Sequence, residues 1–394
     1  MRYTEEKENA LFEQWDNMDT YNEDYQNLIE SLNSNSFFRT FGEGLLYYLQ
    51  RKQLSLTEES AIKYIENICQ ETGIDRSDIA STNTLKNWFN GGPRPKKGED
   101  SRSSMFALAF ALRSTPEETA ELFHKVYLDR AFDYRNVKEI IYYFCLQHNK
   151  SWKEAQRLIS RCSSIATEAN DHTIYTSHIR SDIKSILDEE MLLSYIAKHG
   201  HNLEQKSVSA KHTIKKLIDT ATEMVEKETK LIELRKCAEA SSKSKTELYL
   251  NTSFEHFQNT NARSLNHIYE VITGQIVRGE KGTKTLFKNA RLPKEIKNRF
   301  PEAATLSKKD PTYEEMRKLV VMLASYNYWQ QARDNNAKIN IEHYIDDTDA
   351  FLGECGFSLL YYGNPYDWLF LYCSLSDNPL DTFRGILSEV LDQE

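Results

Sequence analysis

Residues 214–232 read IKKLIDTATEMVEKETKLI. Apolar side chains recur in this stretch at steps of three and four residues, with lysine and glutamate between them: Ile214, Leu217, Ile218, Ala221, Met224, Val225, Leu231 and Ile232. That period of about 3.6 is typical of a helix with one buried face. Residues 181–198 show the same pattern, and the side chains predicted to point inward are Ile183, Ile186, Leu187, Leu192 and Ile196. The two segments predict either an antiparallel hairpin within one chain or a short seam between two copies of it.

The chain around this centre also favours helix. No proline occurs between Pro116 and Pro293, and no glycine between Gly98 and Gly200. Long segments without helix breakers are typical of helices, and strand patterns are nearly absent. The sequence therefore predicts an all-α protein in which two helix-turn-helix-like units flank a central helical hairpin or bundle. The predicted parts are an acidic segment (1–35), a helical domain (36–165), a central region suited to dimerisation (166–262) and a second helical domain with an acidic C-terminus (263–394).

The two flanking parts resemble each other. The alignment that pairs Cys145 with Cys373 places positions 120–160 on positions 348–388 without a gap. The identical pairs are Phe123/Phe351, Tyr134/Tyr362, Asn136/Asn364, Cys145/Cys373 and Ser160/Ser388. Apolar positions agree over the whole span, which predicts an internal repeat of one helix–loop–helix arrangement. The second copy is longer, and we place its extra residues in 334–348.

Capping residues and helix-breaking residues in the first unit predict where its helices begin and end. The predicted order is a helix over 60–72, a stop at Gly73, a turn region over 74–80, a cap at Ser81 or Thr82, a helix through Phe89, and further helices over 104–112 and 116–127. The helix after the turn begins with small polar residues and keeps Leu85 and Trp88 for the core. A recognition helix needs this design, because its polar N-terminal residues must enter the major groove of DNA.

A family resemblance can be named on these residues. The run TLKNWFNG at 84–91, followed by Pro95, LAFAL at 108–112 and PEE at 116–118, resembles the Cro/repressor-type helix-turn-helix family over about residues 61–123. The chain departs from the family in a longer 94–103 stretch and in lacking the usual glutamine of the second helix. The resemblance implies DNA binding. The residues then expected at bases and phosphates are Ser81, Thr82, Asn83, Thr84, Lys86 and Asn87, with Lys96 and Lys97 nearby.

The second unit carries a more divergent version of the same motif. Residues 286–289 and 292–301 fit a two-helix core, and the segment is similar to helix-turn-helix proteins of mobile elements and bacterial operons. Residues 278–309 hold ten bases against three acids. Such a run can bind phosphates, and the predicted contacts are Lys284, Lys288, Arg291 and Lys294. The alternative is a solvated charged face.

Charge is strongly segregated along the chain, although the net charge is −9. Residues 1–30 sum to −7 and residues 340–394 to −10, whereas residues 278–309 sum to +7 and residues 86–102 to +3. The local charge of a surface, and not the net charge of the chain, decides whether that surface can bind phosphate. The total charge therefore does not exclude nucleic acid as a partner.

Composition predicts a cytoplasmic globular protein. No apolar run is long enough for a membrane span, the N-terminus lacks a signal-peptide pattern, and the six cysteines are scattered, as is typical of reduced core thiols. Residues 274–279 have P-loop spacing without the required Lys-Ser/Thr pair. No catalytic, metal or cofactor motif is complete, so we expect a protein that is not an enzyme and uses no cofactor.

Two functions remain open on this basis. The first is a sequence-specific, DNA-binding transcriptional regulator that binds double-stranded DNA, with a homodimer formed through the central helices. The second is a non-enzymatic adaptor that uses degenerate helix-turn-helix repeats to bind a protein partner. The acidic C-terminal part favours the adaptor, because DNA repels it. Neither hypothesis involves a membrane.

Overall fold

The computed structural model describes residues 38–52, 56–96, 98–163, 176–203, 208–239, 268, 271–272 and 312–392. Over these residues the chain forms fifteen α-helices and one π-helix, and no strand occurs in them. The predicted all-α class is confirmed. The arrangement of two helix-turn-helix-like units around a central hairpin stays a prediction, because residues 273–311 lie outside the described part.

The helices before residue 204 are short and closely spaced. In chain order they are α1 (Phe41–Lys52), α2 (Glu58–Thr72), α3 (Arg76–Ile79), α4 (Thr82–Phe89), α5 (Glu99–Ala111), α6 (Pro116–Glu121), the π-helix (Leu122–Tyr127), α7 (Val137–Gln147), α8 (Trp152–Cys162), α9 (Thr176–Lys184) and α10 (Glu189–Leu203).

Longer helices follow in the rest of the chain. They are α11 (Val208–Glu239), α12 (Tyr313–Asp334), α13 (Ile341–Glu354), α14 (Pro365–Ser374) and α15 (Pro379–Asp392).

The chain divides into two compact units. The first contains Phe38–Ser209 and Gly353–Asn364, and the second contains Ala210–Leu352 and Pro365–Glu394. The domain boundaries predicted near residues 35, 165 and 262 lie outside the described residues.

Local sequence signals explain where several helices begin and end. Thr57 caps α2 and Thr115 caps α6, each in a capping box with the residue three positions later. α2 ends at Gly73, which has a φ of 67°. Glycine adopts this left-handed conformation without a steric penalty, and the predicted stop is confirmed.

Three predicted helix bounds differ from the structure. α5 begins at Glu99 rather than at residue 104, because Glu99 and Asp100 place negative charge at the positive end of the helix dipole. The single helix predicted over 181–198 is two helices, α9 and α10. Leu187, predicted to point inward, lies between them and is 71% exposed. The turn region predicted over 74–80 contains the four-residue helix α3.

An aromatic cluster fills the core of the first unit. Phe106 is fully buried in α5, and its ring lies 4.6 Å from that of Phe123, 5.4 Å from that of Phe132 and 4.9 Å from that of Tyr142. Each such pair contributes about 0.5–1.5 kcal/mol beyond the apolar area that it buries. The cluster joins α5, the π-helix, α7 and the loop before α7.

Arg102 is buried beside this cluster and paired with two carboxylates. Its Nε and Nη2 donate to Glu139 at 2.8 and 2.7 Å, and Nη1 donates to Asp129 at 2.8 Å. The carbonyls of Arg130 and Ala131 accept the remaining hydrogen bonds at 2.9 and 3.1 Å. All five donors of the guanidinium therefore have acceptors. Desolvation lowers the pKa of Arg102, and the two carboxylates more than offset this, so the pKa is raised.

Helix α12 lies in the core of the second unit. Its segment 319–324 is buried on all sides, as in a helix surrounded by others. Arg317 of the same helix pairs with Asp367 of α14 through two hydrogen bonds of 2.8 Å, and both side chains are buried. Asn327 donates to the carbonyl of Leu217 at 3.0 Å and so ties α12 to α11.

The helix bounds agree with the predicted repeat. α7 and α14 begin at positions that the repeat alignment pairs, and the left-handed residues Leu128 (φ 56°) and Gly356 (φ 71°) are paired in it as well. Residues 140–146 and 368–374 are all buried. The same alignment pairs Glu139 with Asp367, the carboxylates that hold the two buried arginines. The two aligned segments, 120–160 and 348–388, therefore share one local design.

The repeat departs from the predicted register in the helix before the loop. Phe123 is fully buried, and so is Leu352, whereas Phe351 is half-buried. Phe123 therefore corresponds to Leu352, and the predicted pair Phe123/Phe351 is wrong. The π-helix at Leu122–Tyr127 explains the shift, because a π-turn accommodates one extra residue in a helix. The extra residues predicted at 334–348 are partly helical, since α13 begins at Ile341.

Five cysteines are free and buried, in agreement with the predicted reduced thiols: Cys69, Cys145, Cys162, Cys355 and Cys373. Burial raises the pKa of Cys145 to about 12, so this thiol is protonated at neutral pH. The side chain of Cys237 lies outside the described part. None of the helices that the structure describes combines the length and the apolar character needed to cross a membrane.

Removing the buried guanidinium tests its role in the first unit. We expect Arg102→Met to lower the free energy of unfolding of that unit by about 3–5 kcal/mol, because Asp129 and Glu139 are left as unpaired buried charges. Urea unfolding of the whole chain, followed by circular dichroism, measures the loss. The control is Arg51→Met, which removes an exposed pair with Glu121 and is expected to cost no more than about 1 kcal/mol. Equal losses in both variants would contradict the assignment.

Candidate nucleic-acid interface

Ser81 sets the start of α4, the helix predicted to recognise DNA. Its backbone is extended, and its Oγ accepts a hydrogen bond from the backbone N–H of Thr84 at 3.1 Å. This is the usual geometry of an N-cap. Of the two caps predicted, Ser81 or Thr82, the structure therefore selects Ser81.

The four-residue helix α3 and two linking residues position this start. Asp75 caps α3 by accepting from Ser77 N at 2.8 Å. The hydrogen bonds from the Ser77 side chain and backbone lower the pKa of Asp75. Arg76 of α3 donates to the hydroxyl of Thr82, and Ile79 is buried. The contact of Arg76 with Thr82 and the burial of Ile79 together hold the turn in place.

α4 has one buried face and one exposed face. Leu85 is fully buried, and Trp88 and Phe89 are each 5% exposed. The residues predicted to face DNA lie on the other side of the helix. Those that are exposed are Ser81, Asn83, Thr84, Lys86 and Asn87, while Thr82 is half-buried beside Arg76.

α1 packs directly against the end of α4. The rings of Phe41 and Trp88 meet edge to face, with centroids 4.9 Å apart. Gly42 permits this approach. A Cβ at that position would lie 2.7 Å from the carbonyl carbon of Trp88 and 2.8 Å from Cα of Phe89. The position of α4 therefore depends on the missing side chain of Gly42.

The loop after α4 is held by the π-helix. Arg94 donates from Nε to the carbonyl of Val126 at 3.1 Å and from Nη2 to the carbonyl of Arg39 at 3.2 Å. The hydroxyl of Tyr127 donates to the carbonyl of Lys96 at 2.9 Å. These bonds fix the loop backbone while the side chain of Lys96 stays exposed.

Not all of the basic side chains of residues 86–102 are exposed. Lys86 and Lys96 are exposed. Arg94 is turned towards two backbone carbonyls, and Arg102 is buried between carboxylates. Of the five bases counted in this stretch, Arg102 therefore adds no exposed positive charge. Two further predicted groups lie outside the described residues: Lys97, and the second-unit set Lys284, Lys288, Arg291 and Lys294.

An open groove of about 530 Å³ lies beside the start of α4. Glu66 and Gln70 of α2 line it together with Arg76 and Thr82. Cys69 also lines the groove, and burial raises the pKa of its thiol to about 11. A thiol that is protonated at neutral pH is a poor nucleophile, so the groove does not favour cysteine catalysis.

Sequence reasoning missed the residues that hold α3 and the loop after α4 in place. Arg94 and Tyr127 fix the loop, and Trp152 of α8 donates from Nε1 to Asp78 of α3 at 3.0 Å. The partners of these contacts are 31 to 74 residues apart in the chain. A weak signal was present for the loop alone, since prolines at 93 and 95 restrict the backbone on both sides of Arg94.

No protein-family model, curated protein or solved structure matches the chain. Within the part of the chain that the structure describes, no group of three His, Cys, Asp or Glu side chains is placed to hold a metal ion.

Two glycines of α1 provide a matched test of how α4 is held. We expect Gly42→Ala to lower the free energy of unfolding by about 1–3 kcal/mol, because the added Cβ must push the backbone of α4 away. Gly44→Ala is the control in the same helix. Its Cβ would make ordinary contact with Val126 at 3.5 Å, and the gain in helix propensity is expected to raise stability by up to about 1 kcal/mol. If chemical denaturation shows both variants to be stabilised, α1 does not pack on α4 in this way.

Proposed function

We propose that the chain is a sequence-specific transcriptional regulator that binds double-stranded DNA by placing α4 in the major groove. One observation carries the proposal, namely the division of α4 into two faces. Asn83, Thr84 and Asn87 are exposed, whereas Leu85 and Trp88 are buried. A short helix anchored by apolar residues, with polar residues exposed from its first turn, is the arrangement that recognition helices use.

The size and chemistry of α4 suit the major groove. A helix with its side chains is about 10–12 Å across, and the groove is about 12 Å wide, so the eight residues of α4 can lie within it. Asn83 and Asn87 are four residues apart and so share one side of the helix. An asparagine amide forms a bidentate pair with adenine, and a threonine methyl contacts the thymine methyl. Asn83, Asn87 and Thr84 are therefore the proposed base-reading residues.

Phosphate contacts are assigned to the cations beside α4. Lys86 lies on the exposed face of the helix, and Lys96 lies in the fixed loop that follows it. The N-terminus of α4 adds a partial positive charge. The proposal extends these contacts to Lys97 and, in the second unit, to Lys284, Lys288, Arg291 and Lys294.

The proposal includes a homodimer formed through the central helices. Two apolar side chains near the start of α10 support such a contact, since Leu187 is 71% exposed and Met191 is 44% exposed. A two-fold dimer would bind two half-sites about one helical turn of DNA apart, or a multiple of it. Sedimentation equilibrium measures the oligomeric state.

The adaptor remains the second candidate function. It is favoured by the charge of residues 340–394, which sum to −10 and would be repelled by DNA. An adaptor would bind its partner independently of Asn83 and Asn87, and it would show no salt-sensitive affinity for DNA.

Replacing single asparagines of α4 tests base readout. We expect Asn83→Ala and Asn87→Ala each to weaken binding to the preferred sequence by about 1–3 kcal/mol and to relax the preference at the contacted base pair. The preferred sequence comes from selection among random duplexes, and fluorescence anisotropy measures affinity. Asn67→Ala, an exposed asparagine of α2, is the control and should leave both affinity and preference unchanged.

Replacing a loop lysine tests the phosphate contacts. We expect Lys96→Ala to weaken binding to all sequences alike and to lower the slope of log affinity against log salt by about one. Lys211→Ala, an exposed lysine of α11, should change neither quantity. The regulator hypothesis fails if the wild-type protein shows no salt-sensitive DNA binding at about 50 mM salt, where phosphate contacts are strong.

A further inference from the structure

Three cationic side chains converge on one carboxylate at the surface of the first unit. Lys150 Nζ lies 2.9 Å from Glu189 Oε1, and Arg157 Nη2 donates to both oxygens of Glu189 at 2.8 and 2.7 Å. Arg161 Nη1 lies 3.5 Å from Oε2. Glu189 is the first residue of α10, whereas the three cations belong to α8 and the turn before it.

The backbone holds the three cations in place. Asn149 has a φ of 51°, and the N–H of Lys150 donates to the carbonyl of Cys145 at 2.8 Å, which fixes the turn after α7. Arg157 and Arg161 are four residues apart and so lie on the same side of α8. The opposite side of α8 is anchored by Leu158, which is fully buried. The cluster is therefore preformed on a rigid helix.

Four cations lie along α8 and the turn before it, beside the acids Glu154, Glu189 and Glu190. Lys153 is exposed one turn before Arg157 and extends the row of cations. Glu154 is engaged elsewhere, since its carboxylate caps the N-terminus of α8 through Ser151. Hydrogen bonding from Lys150 is the main cause that lowers the pKa of Glu189. Glu189 is thus ionised at neutral pH and is the acid that Lys150 and Arg157 share.

The cluster lies on the helix that supports the proposed interface. Trp152, the first residue of α8, donates to Asp78 of α3 at 3.0 Å, and its ring stacks on Tyr142 at 5.2 Å. α3 leads directly into α4. α8 is thus joined to the turn that leads into α4.

We propose that Lys150, Arg157 and Arg161 form a binding site for a backbone phosphate of DNA, and that Glu189 holds this site while no DNA is bound. A carboxylate and a phosphodiester each share one negative charge between two oxygens, so the same N–H donors can bind either group. The inference rests on the proposed DNA-binding function and extends it. Displacement of Glu189 by phosphate adds contacts that are independent of sequence, and Glu189 lowers affinity for every duplex by competing for them.

The test removes the competing charge and keeps the shape of its side chain. We expect Glu189→Gln to tighten binding to the preferred duplex and to an unrelated duplex by a similar factor, about threefold to tenfold at about 50 mM salt. We also expect it to steepen the salt dependence by about one. Glu59→Gln is the control, because Glu59 is an exposed glutamate of α2 outside the cluster. It should bind as the wild-type protein does in fluorescence anisotropy.

A second variant is expected to change DNA affinity in the opposite direction, which separates an effect on the site from a general effect on folding. Arg157→Gln leaves Glu189 paired with Lys150, and we expect it to weaken binding to both duplexes. Combined with Glu189→Gln, it should abolish the gain. Thermal unfolding of each variant checks that α8 and α10 remain folded.

The outcomes separate this inference from the proposed function. If Asn87→Ala weakens binding but Glu189→Gln and Arg157→Gln both bind as the wild type does, the phosphate site is refuted and the recognition role of α4 stands. If Glu189→Gln tightens binding while Asn83→Ala and Asn87→Ala change nothing, the site stands and readout by α4 is refuted. If neither the wild type nor Glu189→Gln binds DNA, both are refuted.

Discussion

The buried guanidinium of Arg102 is the constraint on which the first unit depends. It lies in α5, and its carboxylate partners Asp129 and Glu139 lie in the following loop and in α7. A charge removed from water costs several kcal/mol unless it is paired and hydrogen-bonded. Because five hydrogen bonds fix one planar group, α5 and α7 cannot slide past each other without breaking several of them together. α5 also packs against α2 and α3, so the turn that leads into α4 rests on the same anchor.

The second unit uses a related device. Arg317 pairs with Asp367, but the repeat alignment pairs Asp129, the additional carboxylate that holds Arg102, with Phe357, which belongs to the first unit. The first unit also has the π-helix, whose backbone presents the carbonyl of Val126 to the loop after α4. A π-turn changes which carbonyls remain within the helix and which can accept from elsewhere. In the first copy these contacts hold a loop beside an exposed polar helix.

The features that could be predicted from the sequence depend on neighbouring residues. The cap at Ser81, the stop at Gly73 and the two faces of α4 each follow from side chains within one or two turns. The burial of Arg102 could not be predicted, because its partners are 27 and 37 residues away and no local pattern indicates them. The same applies to the π-helix. An extra residue leaves the apolar pattern nearly intact, so an alignment without gaps placed Phe123 one position out of register.

The polarity of α4 limits what that helix can contribute to affinity. Uncharged readout residues distinguish sequences, while contacts with phosphates supply much of the binding energy. Two of the five bases of residues 86–102 are turned away from solvent, because Arg94 bonds backbone carbonyls and Arg102 is buried. In a chain with a net charge of −9, the proposed DNA binding would then need further cations near α4. The phosphate site proposed on α8, which Trp152 joins to α3, would supply them, and Glu189 would adjust this attraction without changing the sequence that α4 is proposed to read.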